Sequence, residues 1–138
     1  MKNYELIEHT ADIGIRVKGQ NLNDLFRNSA LAMFDIMAER KNPTVKKQEK
    51  INIEQQADNL EELFINWLNE LLSLSATKDL IFSDFQISKL DENILQVIAT
   101  GEDIKNYKVN TEIKAATYHA LRLGKAESGW EAEVIFDV

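Results

Sequence analysis

With 138 residues the chain has the length of one domain, residues 1–138, and can bury a core without covalent staples. The absence of cysteine excludes a disulfide framework, a thiolate zinc site and a cysteine nucleophile. Sixteen basic residues against 23 acidic ones leave a formal charge of −7, which opposes a grip on nucleic acid, because that grip rests on neutralising phosphates with Lys and Arg. A basic protein partner or a metal cation is the easier match.

The chain opens on Met1-Lys2-Asn3-Tyr4-Glu5, with no apolar stretch of the signal-peptide kind. No window approaches the roughly 18 apolar residues of a membrane span. The expectation is a cytoplasmic protein with no membrane attachment. Ile13, Ile15 and Val17 alternate with Gly14, Arg16 and Lys18, which predicts a strand. Asn21, with Asp24 three residues on, predicts a helix start. Leu22, Leu25, Phe26, Ala30, Met33, Phe34 and Met37 then recur at helical spacing.

Pro43, the only proline, marks a linker, and Lys46-Lys47-Gln48-Glu49-Lys50 beside it forms a small basic cluster best read as a solvated loop. Ile51 and Ile53 mark a strand. Asp58 followed by Glu61 resembles a capping box for a second helix. Leu60, Leu63, Phe64, Trp67, Leu68, Leu71 and Leu72 supply its apolar stripe.

Further strands are predicted over 82–90 and 94–100, joined by a hairpin turn at Asp91-Glu92-Asn93. Val109, Thr111, Ile113 and Ala115 alternate, and 117–123 continue the sheet before a turn from Gly124 to Gly129. Trp130, Ala132, Val134 and Phe136 form the last strand. Two helices among six or more strands give an α+β fold: a mixed, largely antiparallel sheet with both helices packed on one face. No glycine lies between Gly19 and Gly101, and the five present build neither a Walker loop nor a GxGxxG turn.

The scarce chemical groups are two histidines, His9 and His119. A hydrolase would join them to Asp12, but a strand histidine is more often a hydrogen-bonded structural residue. Asp12 opens a strand among apolar neighbours. Asp137 follows Val134-Ile135-Phe136 in an ending that stays strand-like to Val138. A tied-down end of this kind sets the Asp137 carboxylate near the Val138 main-chain carboxylate. Clustered carboxylate oxygens repel unless protonated or bridged by a hard cation. The residues alone favour the plainer reading, in which Asp137 solvates the end of an edge strand.

Tyr4-Glu5-Leu6-Ile7-Glu8-His9-Thr10-Ala11-Asp12-Ile13-Gly14-Ile15 resembles the N-terminal signature of the archease family. The segment 58–72 is similar to the family's second helix. Thr111-Glu112-Ile113-Lys114-Ala115-Ala116-Thr117-Tyr118-His119 resembles its late-strand motif, and Glu133-Val134-Ile135-Phe136-Asp137-Val138 its acidic-apolar close. The resemblance implies a mixed sheet carrying two helices. It also implies an accessory protein, not an enzyme, of the RtcB-type RNA ligase, the GTP- and metal-dependent enzyme of tRNA splicing and RNA repair. Archeases promote guanylylation of that ligase and its multiple turnover.

Carried over by motif, the metal ligands are Asp12, Asp137 and the terminal residue, Val138, for a divalent ion (Ca²⁺, or Mg²⁺ or Mn²⁺). The resemblance thus reverses the plainer reading of Asp137. Asp35 is a third acidic candidate, and neither His119 nor Lys114 receives a role. The expected partner is the ligase, with no stable nucleic-acid binding. Two other readings stand beside it: a metal-dependent phosphohydrolase using Asp12, Asp137 and a histidine, and a general chaperone or binding module.

Overall fold

A computed structural model describes residues 3–7, 12–41 and 47–138. Among them the element order is β1 (Tyr4–Ile7), β2 (Ile13–Gly19), α1 (Leu22–Met37), β3 (Ala38–Arg40), β4 (Gln48–Gln56), α2 (Leu60–Lys78), β5 (Leu80–Leu90), β6 (Ile94–Asp103), a 3-10 turn (Ile104–Asn106), β7 (Tyr107–Val109), β8 (Ala115–Ala126) and β9 (Gly129–Asp137). Two helices and nine strands make the α+β class expected from the sequence. Pro43, His9 and Lys46 lie outside the described residues.

The strands divide among three sheets: β1-β2-β9-β8, β4-β6-β5 and the small pair β3-β7. Every ladder among the described residues is antiparallel. Both helices lie against strands of both larger sheets, α1 on β2 and β5, α2 on β8, β5 and β4. The two sheets therefore share one core. This explains why the apolar stripe of α2 is wide: Leu63, Phe64, Ile65, Trp67, Leu68, Leu71 and Leu72 are all buried.

Aromatic rings join the layers. Phe26 of α1 meets Phe64 of α2 edge-on at 5.2 Å, and Trp67 meets Phe85 of β5 edge-on at 5.4 Å. These geometries suit the ring quadrupoles. The indole N–H of fully buried Trp67 donates to the Phe26 carbonyl at 3.1 Å, so its one polar atom is satisfied inside the core.

Local rules explain the element ends. Asn21 caps α1 by accepting from the Asp24 N–H at 2.8 Å, as predicted. The cap of α2 falls one residue later than predicted: Asn59, not Asp58, accepts from the Glu62 N–H at 2.9 Å. Asp58-x-x-Glu61 and Asn59-x-x-Glu62 carry the same spacing, so the pattern alone does not fix the frame. The Asp91 turn forms as expected, its side chain accepting from the N–H groups of Asn93 and Ile94.

Two expectations for the late strands are corrected. Residues 110–114 join no ladder: the N–H groups of Asn110 and Thr111 donate to the Met37 carbonyl, and Lys114 donates to the Asp137 carbonyl. Ile113 is still buried, which is why the alternation read as a strand. The predicted turn over 124–129 shrinks to Glu127-Ser128, because Gly124 pairs with Glu131 and Ala126 with Gly129. Gly129, at φ +149, lies where an added Cβ would meet the Gly19 carbonyl oxygen at 2.3 Å.

The outer edge of β8 is held by a side chain. Asn69 of α2 donates to the Ala116 carbonyl at 3.1 Å and accepts from the Ala116 N–H at 2.8 Å. Asn69→Ala leaves both backbone groups of a buried residue unpartnered. We expect a loss of about 2–6 kcal/mol of stability, since orphaned buried groups cost about 1–3 kcal/mol each, read by urea denaturation.

Candidate functional site

The register between β2 and β9 builds the site. Ile13 pairs with Phe136, Ile15 with Val134 and Val17 with Ala132, and these side chains enter the core. The intervening residues lie on the opposite face, where Arg16, Lys18, Glu131 and Glu133 reach solvent while Gly14 and Ile135 are covered. The ladder ends at the Ile13–Phe136 pair, so Asp12, the residue before β2, and Asp137, the last residue of β9, both lie at this end of the sheet. The two predicted carboxylates thus come to the same end of the sheet although they are the twelfth and penultimate residues of the chain. Asp12 is half-buried and Asp137 exposed. On the other side of Asp137 stands Ala115, and the Lys114 N–H donates to the Asp137 carbonyl at 2.8 Å, so this strand end is fastened from β8. Val138 follows, 42% exposed.

Carboxylates are the donor type that suits a hard cation. The count is short. Among the described residues no three acidic or histidine side chains converge on one point. Asp35 accepts a hydrogen bond from the Tyr4 hydroxyl of β1. His119 is exposed on β8.

The rest of the outward face carries an ion network absent from the sequence reading. Arg16 of β2 pairs with Glu5 of β1 and Glu133 of β9, and approaches Glu131 at 3.4 Å; Arg122 of β8 lies 3.7 Å from Glu133. These ties cross all four strands. A strand-pairing register was needed to see them, since Arg16 and Glu133 are remote in sequence. At the far end of the three-stranded sheet, Glu102 is buried and paired with Arg40, and accepts from the Tyr107 hydroxyl at 3.2 Å. Burial is the main cause that pushes the Tyr107 phenol above its usual range. A groove of about 810 Å³, lined by Lys18, Arg27 and Trp130 among others, lies near the start of α1. It is at the opposite end of β2 from Asp12.

Sequence reasoning also missed a bulge in β8. Between the pairs Thr117–Ile135 and Arg122–Glu133, β8 advances five residues while β9 advances two. Tyr118, His119, Ala120 and Leu121 therefore stand opposite Val134 alone. Ala120 takes a left-handed conformation, φ +52, which costs a non-glycine residue about 1–2 kcal/mol. Leu121 turns back toward the core, and Tyr118 projects, 56% exposed. No glycine or proline announces this bulge in the sequence.

A profile of the Archease protein family (MTH1598/TM1083) matches residues 4–138. The chain belongs to the archease family. It is 34% identical to the protein archease of Methanosarcina mazei, over 99% of this chain and 97% of that one. It is 37% identical to the protein archease of Pyrococcus abyssi over the whole of both. The fold matches the solution structure of Methanobacterium thermoautotrophicum protein 1598 with a TM-score of 0.78, at 31% identity over all of both chains. It also matches a Thermotoga maritima crystal structure described as an archease, possible chaperone, with a TM-score of 0.65 at 25% identity, covering 96% of this chain and 94% of that one. Among the described residues no helix is long and apolar enough to cross a membrane.

The archease bulge has one electrostatic neighbour that can be tested. Partial burial of the ring and the charge of Glu62 on α2 both push the Tyr118 phenol above 10.0. The neutral phenol is the form the fold favours, so this contribution is present below pH 10 and is lost as pH rises through the folded-state value. Glu62→Gln is expected to move the Tyr118 ionisation partway back toward its usual value, read by ultraviolet titration against Tyr118→Phe.

Proposed function

We propose that this chain is a non-enzymatic activator of an RtcB-type, GTP-dependent RNA ligase in tRNA splicing and RNA repair, promoting guanylylation and multiple turnover of the ligase. Membership of the archease family over residues 4–138 carries the reading. The pairing of Ile13 with Phe136, which brings Asp12 and Asp137 to the same end of the sheet, supports its metal-dependent part. Asp12 and Asp137 would hold a divalent cation (Ca²⁺, Mg²⁺ or Mn²⁺), with Val138 adding its main-chain carboxylate. When bound, such an ion supplies charge neutralisation for phosphate oxygens.

The chain's own residues have separable tasks. Asp12 and Asp137 present negative charge at one sheet end. The Lys114 N–H fixes the β9 backbone there. The net charge of −7 steers the protein toward a cationic surface, with a rate that falls as salt rises. The same charge disfavours stable RNA binding. The phosphohydrolase reading gains no support, because the chain has no glycine-rich phosphate cradle. The description of the Thermotoga protein as a possible chaperone supports an accessory role in general terms.

The test uses limiting ligase with GTP, metal and RNA ends. Wild-type protein in catalytic amount is expected to convert a single turnover into many; a ligase that still stops after one turnover refutes the proposal. Asp12→Asn and Asp137→Asn should each lower stimulation by at least about 100-fold, the upper range for losing a metal ligand's support, with unchanged circular dichroism. Extending the chain past Val138 should weaken metal binding; equal affinity would remove Val138 from the site.

A further inference from the structure

The β8 bulge has a backbone cost. Its backbone leaves the ladder for Tyr118–Ala120, with Ala120 left-handed. Such strain persists only where surrounding structure enforces it, and it concentrates where contacts are made. Leu121 alone completes the core side. More than half of the Tyr118 surface stays exposed within the chain. The base beneath it is rigid nonetheless, because Asn69 clamps Ala116 from α2 and Thr117 Oγ1 donates to the Ile135 carbonyl at 2.9 Å. An aromatic ring held out on a stiff edge matches the anchors of protein interfaces, which combine a large apolar area, few rotatable bonds and a polar tip.

Charge identifies the kind of surface that would receive it. Glu62 acts on the phenol from α2, and Asp137 sits beside Ala115 at the start of the same strand. Of the flanking cations, Arg122 is already within reach of Glu133. Lys114 remains, against two carboxylates and a chain of −7. Phosphate backbones are repelled by this balance, whereas a rim of Arg or Lys is attracted.

We infer that the Tyr118–Ala120 bulge is a protein-docking element, with Tyr118 as its anchor, fitting an apolar pocket rimmed by basic side chains on the partner. This rests on the ligase-activator reading and names the contact within it. The bulge begins three residues from Ala115, the β8 neighbour of Asp137. Docking through it would hold the carboxylate pair against the partner while leaving Asp12 and Asp137 free of the anchoring task.

The experiment titrates full-length wild-type, Tyr118→Ala and Tyr118→Phe into ligase guanylylation, and measures Ca²⁺ binding to each protein alone. Tyr118→Ala should raise the half-stimulating concentration about tenfold or more, as for an interface anchor, while the maximal stimulation at saturation and the Ca²⁺ isotherm stay as in wild type. Tyr118→Phe, which keeps the ring, should stay near wild type. Ala120→Gly, which relieves the backbone, should raise the melting temperature and weaken docking less than Tyr118→Ala does.

Equal half-stimulating concentrations for wild type and Tyr118→Ala would overturn the anchor and leave the activator reading intact. So would a lost maximum at unchanged half-point, which would place Tyr118 in the chemistry. Loss of RNA crosslinking to Tyr118 with unchanged ligase affinity would assign the ring to nucleic acid and also overturn the proposal. A wild-type protein that neither binds nor stimulates the ligase would overturn both readings together.

Discussion

The seven-residue ladder between β2 and β9 is the constraint on which the rest depends. It joins an early strand to the last one at the centre of the four-stranded sheet. Its inward set, Ile13, Ile15, Val17, Ala132, Val134 and Phe136, gives α1 a surface to lie on. Its outward set gathers Arg16, Glu131 and Glu133, and its last pair brings Asp12 and Asp137 to one end of the sheet. A slip of one residue would exchange the two sets, exposing the apolar ones and burying carboxylates. The core and the candidate site are therefore two faces of one register.

The helices supply the second layer of constraint. Because α1 and α2 touch both larger sheets, neither can shift on one without disturbing the other. Trp67 fastens α2 to α1 through the Phe26 carbonyl, and Asn69, two residues on, fastens α2 to β8. One turn of helix thus ties the aromatic core to the strand that carries the bulge.

Much of this is legible in the sequence for a simple reason. Both helices and the central strands bury regular stripes, and periodicity reports burial. Asn21 could be named as a cap because no rival stood beside it, whereas Asp58 and Asn59 compete in adjacent frames and geometry chose the second. Ile113 shows the limit of alternation: it points inward from a segment whose backbone bonds go elsewhere. Asp12 and Asp137 could be singled out by motif, but that they come to the same sheet end required the pairing of β2 with β9. The Arg16 network and the buried Glu102–Arg40 pair needed the same long-range information. The bulge at Ala120 left no trace, because alanine in a left-handed conformation carries no compositional mark.

The contact of Gly129 with the Gly19 carbonyl governs how the far end of the molecule can change over evolutionary time. No side chain fits between these backbones, so composition there is closed to variation. Length is not: the Glu127-Ser128 tip projects beyond the contact, where inserted residues would meet solvent. Homologues are free to diverge at this end by lengthening a loop, and only behind a glycine that keeps β2 and β9 in step.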